Sequence, residues 1–107
     1  MADFTLHDLE KRVHARARAP ADTSYTRKLL DQGVVECAKK LGEEAIETVL
    51  AATCEDREHL IAETADLLYH LLVVLKARDV TLADVEAELE ARTRQSGLNE
   101  KASRKGG

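Results

Sequence analysis

Apolar residues recur three and four positions apart along nearly the whole chain, the period of helices with one buried side. The residues that interrupt the recurrence are of the kinds that cap and stop helices. Leu6, Leu9 and Val13 follow Thr5, and Asp8 stands three residues after that threonine. Thr5 and Asp8 read as a capping box, which places a first helix over about 5–17. The stretch from Arg16 to Asp22 holds the only proline, Pro20, and reads as a linker. Ser24 opens a short second helix that Gly33 ends or bends. A third helix covers about 34–53 and a fourth about 57–78, with Asp56 capping the latter after a tight turn. A second turn, Asp79 to Thr81, leads to a fifth helix over about 82–94, where Thr81 and Asp84 repeat the capping box. Strand-like alternation and repeats of fixed period are both missing from the sequence, so the expected class is all-α. Residues 1–95 are expected to form one domain, and the polar, basic stretch 96–107 a flexible tail.

Composition sharpens this reading. One proline, five glycines and an aromatic content of 3% argue against a sandwich or barrel. With 44% apolar and 34% charged residues the chain is of an ordered, soluble type. A net charge of −4 gives no support for nucleic-acid binding. The densest apolar stretch, 65–75, is broken by Asp66 and His70 and is too short for a membrane span. Cys37 and Cys54 make no CxxC pair and have no ligand spacing suited to zinc. They read as small core residues of a cytoplasmic protein.

The acids carry the chemistry. Glu43, Glu44 and Glu47 crowd one turn of the third helix, while Glu63 and Asp66 stand i, i+3 on the fourth. Glu36, Lys40, Glu43 and Glu47 fall within about 60° of one another, with Glu44 beside them, opposite Val34, Ala38, Leu41, Ala45 and Val49. Alone, that pattern describes a solvated acidic face. On the fourth helix, however, Glu63, Asp66 and His70 share a similar stripe flanked on both sides by Leu67, Tyr69, Val73 and Val74. A helix apolar all round is buried, so its carboxylates are expected to be buried too. Two antiparallel helices joined by a short turn can set the two acidic stripes against each other. Like charges so placed repel, and a cation with oxygen ligands between them, Mg²⁺ first, relieves the repulsion. His70 reads as a packing residue or one that supports a ligand. The apolar girth of helix four calls for a partner subunit, a homodimer or a dimer of dimers.

The words Ser24-Tyr-Thr-Arg-Lys-Leu-Leu, Ala38-Lys-Lys-Leu-Gly-Glu-Glu-Ala-Ile-Glu and Glu63-Thr-Ala-Asp-Leu-Leu-Tyr-His-Leu-Leu-Val resemble the phosphoribosyl-ATP pyrophosphohydrolases. These are the enzymes of the second step of histidine biosynthesis, within the MazG-like all-α nucleotide pyrophosphohydrolases. The EExxE and ExxD spacings belong to the whole superfamily, whereas SYTxKLL and ADLLYHLL are narrower. The resemblance spans nearly the whole chain and implies a MazG-like bundle of about five helices. It further implies hydrolysis of the α–β phosphoanhydride of phosphoribosyl-ATP, giving phosphoribosyl-AMP and pyrophosphate, by the stand-alone form of the enzyme. Glu43, Glu44, Glu47, Glu63 and Asp66 match the family's Mg²⁺-binding acids.

Attack on a phosphoanhydride needs charge neutralisation and an activated, positioned water. Glu44 or Glu47 is the candidate base, and Lys28, Lys39 and Lys40 are candidate phosphate contacts. Lys101 and Arg104 in the tail are expected either to be solvated or to close over the substrate. Two other readings share the acids: a house-cleaning enzyme for other nucleoside triphosphates, and a metal-free interaction module whose acids dock a basic partner.

Overall fold

The computed structural model describes residues 3–94. Five helices follow in order: α1 (Leu6–Ala17), α2 (Tyr25–Asp31), α3 (Val34–Cys54), α4 (Arg57–Ala77) and α5 (Leu82–Thr93). Each begins where a side chain or a glycine can satisfy its first amides. Thr5 and Thr81 each complete a capping box, with Asp8 and Asp84, and Ser24 and Asp56 cap α2 and α4 through their side-chain oxygens. Gly33 is shared between two helices. Its φ of 97° lies in a region that suits glycine, and its amide closes the end of α2 on Leu30 while its carbonyl accepts from Cys37 in α3. The end of α4 is a Schellman turn. Val80 donates to the Leu75 carbonyl and Asp79 to Lys76, with Asp79 at φ 56° in the place where glycine is usual.

α3 and α4 lie side by side as the long hairpin of the fold, and α1 and α2 pack on one end of it. The core forms there from Val13, Leu29, Cys37, Leu72, Val73 and Leu82, with Leu9, Leu30, Tyr69, Val74 and Leu75 against it. α5 is tied to α1 by polar links: Glu10 accepts from the Leu82 amide at 2.7 Å and His7 pairs with Glu86 at 2.9 Å. Among the described residues the other end of the hairpin has no such cover. Ile46, Val49 and Leu50 on α3 and Ile61 on α4 are exposed there, and Val35 is 85% exposed nearer the core.

Three expectations change. The fourth helix is buried only in part of its C-terminal half, at His70, Leu72 and Val73, while Ile61, Asp66 and Leu71 face solvent. The packed side of α3 is the side of Cys37, Leu41, Glu44, Thr48 and Ala51, all buried or half-buried and repeating at four and three residues. The side holding Val34, Ala38 and Val49 is open, because those residues fall on the wrong face of the helix to meet α4. Cys37 is buried as expected, but Cys54, at the last turn of α3, is exposed.

Candidate metal centre

The α3–α4 seam decides which acids meet. Glu44 lies on the packed side of α3 and Glu63 and Asp66 on the facing side of α4, so one carboxylate oxygen from each comes within 4.8 Å of the others. Glu44 and Glu63 are half-buried and Asp66 is exposed, which corrects the expectation of a buried aspartate. Thr48 is a polar link across the seam. Its hydroxyl, one turn beyond Glu44, lies 2.8 Å from the Glu44 carbonyl and 3.2 Å from the Glu63 carbonyl on the neighbouring helix. Reading the sequence for charge passed over Thr48. The available signal was its place four residues after Glu44 and three before Ala51, a polar position on the seam itself.

The carboxylates disturb one another. Partial burial raises the pKa of Glu44 first, and the charges of Asp66, Glu47 and Glu43 raise it further, while a hydrogen bond with Glu63 works the other way. Glu63 is also raised, by partial burial and then by Glu47, Glu44 and Asp66. The contact between the two carboxyl groups works in opposite directions, lowering Glu44 and raising Glu63. Among the described residues no cation pairs with Glu44, Glu63 or Asp66. Three convergent oxygens with unrelieved mutual repulsion are a donor set suited to a hard divalent cation.

The remaining expected residues divide. Glu47 is exposed and outside the tight set, yet its charge reaches both Glu44 and Glu63. Glu43 is turned to Lys40, 3.6 Å away. Lys40 stands about 40° from Glu44 around α3, whereas Lys39 is about 140° away, on the side of the open apolar stripe. Lys28 is exposed on α2. Lys101 and Arg104 lie outside the described residues. His70 is buried one turn beyond Asp66, and burial, with Lys40 nearby, lowers its pKa against the opposing pull of Asp66 and Glu43.

This hairpin of acids is the setting in which sequence relatives become informative. The family model described as phosphoribosyl-ATP pyrophosphohydrolase matches residues 6–93, a span containing all five helices. The chain belongs to the phosphoribosyl-ATP pyrophosphohydrolase family. Phosphoribosyl-ATP pyrophosphatase 1 of Bradyrhizobium diazoefficiens is 64% identical over 98% of this chain and 99% of its own length. The protein of the same name from Rhodopseudomonas palustris is 62% identical over 98% of each chain. Phosphoribosyl-ATP pyrophosphatase of Rhizobium meliloti is 61% identical over 97% of each. Every acid of the cluster falls inside the span that the phosphoribosyl-ATP pyrophosphohydrolase model covers.

Proposed function

We propose that this chain hydrolyses phosphoribosyl-ATP to phosphoribosyl-AMP and pyrophosphate in histidine biosynthesis, with Mg²⁺ as its cation. The observation that carries the reading is the convergence of Glu44, Glu63 and Asp66 across the α3–α4 seam in a member of this family. These three would hold the cation, with Glu47 and Glu43 as the neighbouring acids. A bound divalent cation supplies charge neutralisation on the triphosphate and lowers the pKa of a coordinated water.

The protein's own residues do the rest. The water oxygen forms a new P–O bond as the bridging P–O bond of the α–β anhydride breaks, and pyrophosphate leaves with the bridging oxygen. The proton of the attacking water goes to a carboxylate oxygen. Glu47 suits this task because it lies outside the tight set and keeps its lone pairs free, while Glu44, with its raised pKa, is the alternative. Lys28, Lys39 and Lys40, with Lys101 and Arg104, supply positive charge to the phosphates, and Lys40 lies beside the acids, 3.6 Å from Glu43. A second copy of the chain covers the open apolar stripe of α3, giving a homodimer or a dimer of dimers.

Pyrophosphate release from a panel of nucleotides tests the assignment. Phosphoribosyl-ATP should give the highest kcat/KM of the panel. Equal or faster release from deoxynucleoside or modified nucleoside triphosphates would move the chain to the house-cleaning class.

A further inference from the structure

The segment Ser24-Tyr-Thr-Arg-Lys-Leu-Leu is only partly explained by folding. The Ser24 hydroxyl donates to the Arg16 carbonyl and accepts from the Arg27 amide. Thr26 is buried and shares a hydrogen bond with the Tyr69 hydroxyl, and Leu29 fills the core. Tyr25 has no such task. It is 55% exposed, and among the described residues its hydroxyl has no hydrogen-bond partner. Lys28, one turn on along the same side of α2, is exposed and without an ion pair among the described residues.

What Tyr25 does touch is His70. The two rings meet edge to face, with centroids 6.4 Å apart and an interplanar angle of 89°. His70 is buried, packs at 5.0 Å against Tyr69, and sits about 6 Å along the α4 axis from Asp66. The Thr26–Tyr69–His70 chain thus steadies an open aromatic ring close to the acid cluster. The path from that ring to Asp66 runs through one ring contact of 6.4 Å and one helical turn, which keeps the separation within the scale of a single nucleotide. An exposed aromatic ring held this way offers a stacking surface to a base, and Lys28 beside it offers charge to a phosphate.

We propose that Tyr25 is the residue on which the purine ring of the substrate nucleotide stacks, with the triphosphate reaching from there to the acids. The inference rests on the reading of the chain as a nucleotide pyrophosphohydrolase. It assigns to α2 the recognition of the base, a task that the acids cannot perform. Stacking needs the ring and not the hydroxyl, so phenylalanine should replace tyrosine and leucine should not.

The test compares wild type, Tyr25→Phe and Tyr25→Leu in two measurements: calorimetric binding of ATP, and steady-state hydrolysis of phosphoribosyl-ATP. In Tyr25→Leu, ATP binding should weaken by about tenfold and KM should rise by a similar factor. Its kcat should stay within about twofold, a split that a merely structural residue would not give. Tyr25→Phe should restore both binding and KM. Unchanged ATP binding in Tyr25→Leu would overturn the proposal. So would a loss of binding accompanied by a change in light-scattering mass, because Tyr25 would then be a contact between copies. Should wild type bind ATP through Tyr25 yet leave phosphoribosyl-ATP intact, the hydrolase reading fails and the stacking role stands.

Discussion

Glu44 and Glu63 are acids whose pKa values the fold raises, and the sign of that shift has a measurable consequence. Between the ordinary glutamate value of 4.5 and the raised one, the folded state binds more protons than the unfolded chain, so stability falls as pH rises. The contribution is fully present below 4.5 and is lost as pH climbs through the raised values. Asp8, Asp56 and Asp84 have the opposite sign. Backbone hydrogen bonds at their caps hold them below 3.8, so they stay ionised across the same window. His59, raised by Asp56, and His70, lowered by burial, also titrate nearby, so the comparison must be differential. Without divalent cations, the melting temperature of wild type should fall more steeply from pH 4.5 to 7 than that of Glu63→Gln. Parallel curves would mean that the carboxylates do not interact. That acids would gather was legible from their spacing, but which acids was not. Glu43 and Glu47 looked central on the helical wheel, yet Glu44 alone of the three lies on the side that α4 covers.

At the scale of elements, the caps were readable because their chemistry is local. Thr5 with Asp8 and Thr81 with Asp84 satisfy amides within one turn, and helix ends followed to within a residue or two. The α3–α4 register is not local, and the Thr48 hydroxyl is a polar link across it. Thr48→Val should lower stability by about 1 kcal/mol, since one hydroxyl loses both carbonyls while each carbonyl keeps its helical partner. Thr48→Ser, which keeps the hydroxyl, should stay close to wild type in denaturant melts. Activity of Thr48→Val should fall as well, because Glu44 and Glu63 would no longer be held at a fixed distance. Equal stability of Thr48→Val and wild type would remove Thr48 from the register. Sequence could not single out this threonine, because Thr53 and Thr64 look alike until the crossing of the helices is known.

The exposed apolar side chains of the hairpin lie mostly on α3, with Ile61 and Leu71 on α4, and not all round α4 as the sequence pattern suggests. Val35, Ile46 and Val49 line one open side of α3, with Ala38 and Gly42 between them. Light scattering should give about twice 11.8 kDa or a multiple of it, and Ile46→Lys should shift the mass towards a single chain. A wild-type mass of one chain would show that the stripe is tolerated in water. The sequence pattern shows the excess of apolar residues but not that most of it is exposed on α3. The cover that α1 and α2 give to the C-terminal half of α4 is a long-range contact, and no local period encodes it.

The central claim is that acids from two helices converge to hold a cation for pyrophosphate release. Its most direct test is release from phosphoribosyl-ATP by wild type, Asp66→Asn and Glu47→Gln, with and without Mg²⁺. Asp66 is exposed, so asparagine there should leave the helical circular-dichroism signal unchanged. Loss of a ligand charge removes several kcal/mol of charge stabilisation, so turnover in Asp66→Asn should drop by at least about 100-fold. Glu47→Gln should drop as far if Glu47 takes the proton, and wild type should be inactive without the cation. Near-wild-type turnover in Asp66→Asn, or wild-type turnover in the presence of excess chelator, would contradict the account.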